Sequence, residues 1–255
     1  IFLYLHRFWR LHRIWDCPSV SRLVNYISGK TIHDSRSGRT FYNRRHDVLD
    51  CRIFLPPHAP PNFHHLQDLC DAIEAAEVRW DARTAREFKG SLPNELPLQE
   101  LQSIVADFVS RCFVSHDLCA IAAIHEGKHP SDPSRNNPHT HIIVPTRTVE
   151  PNGFSRLKDR EHDKRAYIHF WREQWAFCQN IAYERNGLEI RVSHESLQVQ
   201  GIIRTPTIHL SRIDWQKEQR GERTSAGDRK RAIEAQNSAQ PLRLKQNISY
   251  TIDME

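Results

Sequence analysis

The spacing of apolar positions changes period several times along the chain, and each change marks an expected element. Ile1 to Leu5 is apolar and aromatic before Arg and His interrupt it, so residues 1–15 are expected to hold a first strand. A short helix is predicted from Ser19 to Tyr26, with Ser19 or Ser21 as its N-cap. Between His33 and Arg45, the turn-forming run Asp34 to Gly38 separates two extended pieces and reads as a hairpin. Pro56, Pro57, Pro60 and Pro61 predict an extended loop. Leu66, Leu69, Cys70, Ile73, Ala76 and Trp80 then fall at three- and four-residue steps, predicting a helix that runs to Phe88, ahead of Pro93. Leu101, Ile104, Val105, Phe108, Val109 and Cys112 form the apolar stripe of a second long helix.

Beyond that helix the period shortens. Cys119 to Ile124 and His141 to Val144 are apolar runs separated by the polar stretch Glu126 to Pro138, as in neighbouring antiparallel strands. Tyr167 to Glu184 is a third long helix with Gly187 as its stop, and Leu188 to Val192 a last strand. Trp171 and Trp175 lie on the apolar side of that helix, which makes them core rather than base-stacking platforms. The expected fold is α+β: a central, mostly antiparallel β-sheet with flanking helices, packed on the face opposite the one used for chemistry. Residues 1–215 form the domain, and the charged stretch 216–255 a helical or disordered linker.

Composition narrows the picture only slightly. With 36 Lys and Arg against 31 Asp and Glu, the net charge of +5 fits a polyanionic partner without requiring one. The six cysteines show no Cys-x-x-Cys pair, which argues against a zinc knuckle or a thioredoxin-like site and for free thiols in a reducing cytoplasm. No secretory signal and no membrane-spanning apolar run is visible, so no membrane insertion is expected. The sequence starts at Ile1, which leaves a fragment or a misassigned start open.

The chemistry concentrates in histidines. Sixteen are present, so only their arrangement is informative. His139 and His141 are two apart on a strand and therefore share a face. His125 ends the preceding strand, and an antiparallel return brings it beside them. Three converging imidazoles make an incomplete metal shell, with positions left for water or substrate oxygens. Imidazoles favour zinc, manganese, cobalt or nickel over magnesium.

Other blocks carry a family resemblance. They are Tyr26-Ile-Ser-Gly29, His33-Asp34 through Gly38 to Tyr42, Ile53-Phe-Leu-Pro56, and Ala72 to Glu77. Further along come Ala85 to Phe88 with Leu92 to Leu96, Asn137-Pro-His-Thr-His141 ending in Thr146-Arg147, and Gln200-Gly201-Ile202 with His209-Leu210. Together they resemble the MobA/MobL relaxases, in the HUH endonuclease group, with Ala72–Glu77 and Ala85–Phe88 similar to the family's two central helices. The resemblance implies a nicking domain that cuts one DNA strand at a plasmid transfer origin for conjugative mobilisation. Tyr26 is then the nucleophile, forming a 5′-phosphotyrosyl bond, and His125, His139 and His141 the ligands of a divalent metal, manganese or magnesium.

A phenol is a weak nucleophile near neutral pH, so a cation on the scissile phosphate suits this chemistry. Glu87 is the candidate to orient a ligand His or take the Tyr26 proton, with Glu95 as its substitute. Tyr42 is the rival nucleophile. Arg86, Arg147 and Lys158 are the favoured phosphate contacts, among a wider set with Arg44, Arg45, Arg83 and Arg156. The implied partners are single-stranded or supercoiled origin DNA, the coupling apparatus of type IV secretion, and accessory mobilisation proteins in a bacterial cytoplasm. A rolling-circle replication initiator, a catalytically impaired DNA-binding remnant and an unrelated water-using metal hydrolase are the competing readings. The order of Tyr26 before the histidines favours the relaxase over the initiator.

Overall fold

The computed structural model of the chain describes residues 10–12, 19–79, 81–129 and 131–239. It divides into two compact units, residues 1–194 and 195–255.

The first unit opens with a short strand, β1 (Arg10–His12); the rest of the expected first strand lies outside the described residues. Helix α1 (Val20–Ser28) follows, its N-terminus capped by the Ser19 hydroxyl, which accepts from the Arg22 amide at 3.3 Å. Buried Glu74 also accepts from the Val20 amide, so two orphan donors of the first turn are satisfied. Strands β2 (Ile32–Asp34) and β3 (Arg39–Phe41) form the expected hairpin. Asp34 shapes its turn by accepting from the Arg36 and Ser37 amides.

Strand β4 (Val48–Phe54) leads through a 3₁₀ turn at Pro61–His64 into α2 (Leu66–Ala75). The predicted continuation of this helix to Phe88 does not form: residues 85–91 are strand β5 (Ala85–Ser91). Their charges suggested a helix surface, but the fold supplies distant partners. Arg86 reaches Asp159 and Asp163, and Glu87 reaches His141. The segment Ala85–Phe88 is thus a central strand and not a helix.

After α3 (Leu98–Cys112) come β6 (Ala120–His125) and β7 (His139–Pro145). A small ribbon of β8 (Val149–Glu150) and β9 (Gly153–Phe154) precedes α4 (Arg165–Arg185). The main sheet has five strands in the order β1-β5-β7-β6-β4, all paired antiparallel. Every residue of β6 is buried, as expected for a strand covered on both faces.

Helices cover both faces, where the sequence placed them on one. Phe88, Ala122, Ile124, Ile142 and Val144 point to α3 and α4, joining Phe108, Phe113, Trp171 and Trp175 in an aromatic core. Ala85, Ile121, Ala123 and Ile143 point to Val20, Val24 and Ile27 of α1 and to Leu69, Cys70 and Ile73 of α2.

The strand expected at Leu188 to Val192 is also absent. Asn180 of α4 takes both backbone groups of Val192, at 2.8 and 2.9 Å, in place of a sheet neighbour. The second unit contains α5 (Arg212–Gln219) and α6 (Ser225–Ala239). Asn237 holds the backbone of Thr205 through two hydrogen bonds within this unit. Among the described residues, no helix is long and apolar enough to cross a membrane.

Candidate active site

Antiparallel pairing of β6 with β7 sets His125 directly opposite His139, while His141 sits two residues further along the same face of β7. Candidate ligand atoms of the three imidazoles all lie within 4.8 Å of one another. The loop joining these strands is tied at its base. The Asn137 amide donates to the Gly127 carbonyl at 2.9 Å. Gly127 has φ +58°, and a Cβ there would stand 2.0 Å from the Asn137 carbonyl oxygen, so only glycine fits.

Each imidazole has one nitrogen occupied by an acceptor. His125 Nε2 meets the Ile27 carbonyl at 2.7 Å, His139 Nδ1 the Asn137 carbonyl at 2.8 Å, and His141 Nδ1 the Glu87 carboxylate at 2.8 Å. With those nitrogens donating, the other nitrogen of each ring carries a lone pair. His125 Nδ1 is buried and has no hydrogen-bond partner, an arrangement that costs free energy unless a cation takes the lone pair. Burial pushes His125 down to about 4, against the opposing pull of the Ile27 carbonyl, and burial also lowers His139. Both are therefore neutral at physiological pH, as metal ligands must be. The donor set fits a divalent ion.

The carbonyl that accepts from His125 is that of Ile27, in the last turn of α1, where helix carbonyls lack intrahelical donors. The same turn carries Tyr26, which is 47% exposed. Its ring stands edge-on to His141, with centroids 6.0 Å apart. Tyr42 follows β3 and is 77% exposed. Tyr26 therefore occupies the position beside the cluster.

Glu87 lies on the same face of β5 as the histidines and also pairs with Lys89 at 3.5 Å. Glu95 is exposed in the following loop. The three favoured phosphate contacts have other occupations. Arg86 is 5% exposed and is engaged by Asp159, Asp163 and the Pro145 carbonyl. Arg147 and Lys158 both close on the buried carboxylate of Glu77. This one carboxylate offsets only part of their combined charge.

Sequence reasoning passed over Asp47. It binds the Arg45 guanidinium, which lies over the Tyr26 ring at 4.7 Å from its centroid. The Arg45 hydrogen bond holds the Asp47 carboxyl down to about 2. Only its spacing, two residues from an arginine, hinted at this pair.

The MobA/MobL family profile matches residues 19–220, a span that contains α1, the main sheet beyond β1, and all three histidines. The chain belongs to the MobA/MobL family. Among curated MobA/MobL relatives, a probable mobilization protein MobA of Bifidobacterium longum is 29% identical over 73% of this chain and 39% of its own length. Mobilization protein A of Escherichia coli is 29% identical over 67% of this chain and 26% of its own. Mobilization protein MobL of Acidithiobacillus ferridurans is 28% identical over 75% and 57%. The chain thus spans a quarter to somewhat over half of these relatives. The fold is shared with a solved chain from a study of vancomycin-resistance transfer in Staphylococcus aureus. The TM-score is 0.62 at 22% identity, covering 70% of this chain and 91% of that one.

Proposed function

We propose that this chain nicks one strand of DNA at a plasmid transfer origin and remains attached to it, as a relaxase for conjugative mobilisation. One observation carries the reading: a half-exposed tyrosine stands at the rim of three imidazoles, each turned by an acceptor so that its free nitrogen is available to a shared cation.

The Tyr26 oxygen attacks the scissile phosphorus and forms the new P–O bond. The bond to the 3′ oxygen breaks, and that oxygen leaves as a hydroxyl once protonated. The phenol proton is released to solvent. The product is a 5′-phosphotyrosyl link and a free 3′ end, and the reverse attack rejoins the strand. His125, His139 and His141 would hold a divalent ion, which when bound supplies positive charge to the phosphate oxygens and orients the attack. Manganese or magnesium is expected from the family, with zinc, cobalt or nickel compatible with the ligands.

Glu87 keeps the Nδ1 proton on His141 and fixes its ring, as carboxylates do behind metal-binding histidines. Its engagement with both His141 and Lys89 fits orientation better than proton transfer from Tyr26. Origin DNA, the coupling apparatus of type IV secretion and accessory mobilisation proteins are the proposed partners. Residues outside this chain in its longer relatives are expected to contribute to that assembly.

The test uses labelled single-stranded oligonucleotides tiled across transfer origins of the MobA/MobL relatives, with manganese, resolved on a denaturing gel. A covalent protein–DNA band that disappears with EDTA and in Tyr26→Phe is the expected result. Cutting without an adduct would overturn the tyrosine mechanism in favour of a water-using hydrolase. Binding without cutting would leave the DNA-binding remnant as the better reading.

A further inference from the structure

We infer that Arg45, clamped by Asp47, is the positioning residue for Tyr26, holding the phenol ring in one orientation at the rim of the histidine cluster. The inference rests on the nicking role proposed for Tyr26. An aromatic ring that is 47% exposed at a helix end would ordinarily sample several rotamers. Here the Arg45 guanidinium lies over its ring at 4.7 Å, and His141 meets its edge at 6.0 Å.

Arg45 is itself held by its neighbour. Its Nε donates to one Asp47 carboxylate oxygen at 2.7 Å, and its Nη2 donates to the other. This fork–fork geometry fixes the guanidinium plane as well as its position. Its Nη1 is buried and makes no hydrogen bond, while the guanidinium engages Tyr26 both by lying over its ring and through a side-chain hydrogen bond to the phenol.

The backbone supports the same arrangement. Gly29 ends α1 with φ +67°, and a Cβ there would lie 3.4 Å from Arg45 Cβ. The helix end and the Arg45 backbone therefore pack against each other closely. The Asp47 carbonyl accepts from the Glu126 amide at 2.8 Å, beside His125. His125 Nε2 in turn bonds the Ile27 carbonyl, beside Tyr26. A closed circuit results, from Tyr26 to Arg45, Asp47, Glu126, His125, Ile27 and back. The nucleophile and the metal ligands are set relative to one another by this circuit.

The clamp needs the planar fork of arginine. A lysine keeps the charge but can neither bind both carboxylate oxygens in plane nor stack flat on the ring. The measurement is fluorine NMR on 3-fluorotyrosine placed at position 26, without DNA or metal, with the same probe at exposed Tyr42 as an internal reference. The parent Tyr26 signal is expected to be displaced from the Tyr42 position, and to move towards it in R45K, R45M and D47N. An unchanged signal in all three would overturn the clamp.

Single-turnover adduct formation is then measured on the oligonucleotide that labels the parent. R45K and R45M should slow it about ten- to hundredfold while oligonucleotide affinity changes about twofold or less. Full rescue by lysine, or a loss confined to affinity, would make Arg45 an ordinary charge contact and overturn the inference. A parent that forms no adduct would sink the nicking role, whereas the fluorine signal would still judge the clamp.

Discussion

On one face of the central sheet, Phe88, Phe108, Phe113, Trp171 and Trp175 interlock with ring centroids 4.9 to 5.8 Å apart. On the other, the same strands present His125, His139, His141 and Glu87, with a buried nitrogen that has no partner. Alternate residues of β5 serve the two faces in turn: Phe88 goes to the aromatic side, while Glu87 and Lys89 face the histidines. The difference teaches where each property resides. Packing on one side holds the sheet, so the other side can keep groups that packing alone would not favour.

The largest expected effect lies on the aromatic face. Trp171→Ala removes a ring that is 1% exposed and should cost about 3–5 kcal/mol, read by urea unfolding. That is a large share of the roughly 5–15 kcal/mol that keeps a domain folded. A small change would mean the stability does not reside there. On the histidine face, His139→Ala should leave metal-free melting near the parent. Manganese at about a hundred times its Kd should stabilise the parent by about 2.7 kcal/mol and the variant not at all, read by thermal shift with and without EDTA. Glu87→Gln is milder, with about ten- to hundredfold weaker metal binding by titration calorimetry and the fold retained.

The smallest effect is a pH dependence bordering the aromatic face. Burial alone would raise the Asp159 carboxyl, but the His162 hydrogen bond and the charges of His162 and Arg86 outweigh it and leave it below its ordinary value. Asp163 is lowered likewise, its burial outweighed by Arg83 and Arg86. A carboxyl lowered on folding stabilises the protein above its unfolded pKa, 3.8, and loses that contribution as pH falls through the lower folded value. Urea midpoints measured downward from pH 5 should fall in this window, and less steeply in Asp159→Asn. Equal slopes would remove this network from the account of acid stability.

The parts of this arrangement legible in the sequence share a local signature. His139 and His141 could be placed together because strand side chains alternate with period two. The stripe from Leu101 to Cys112 names its own helix. Where the reading failed, the deciding partner was far along the chain. Arg86 and Glu87 look like a solvated helix surface until Asp159, Asp163 and His141 arrive beside them. Leu188 to Val192 looks like a strand until Asn180 takes its backbone groups. Arg45 and Asp47 are ordinary charges until α1 brings Tyr26 over them.

The bond between Gly127 and Asn137 also closes the base of the loop that joins the two histidine-bearing strands. With the two ends tied at the loop base, changes of length or composition within residues 128–136 are expected to leave His125 beside His139, provided the Asn94 bonds to Pro133 and Ser134 are kept. Doubling such a loop costs only about 0.6 kcal/mol in closure entropy. The segment is therefore a natural graft point, where loops of other length could be exchanged on one unaltered pair of strands.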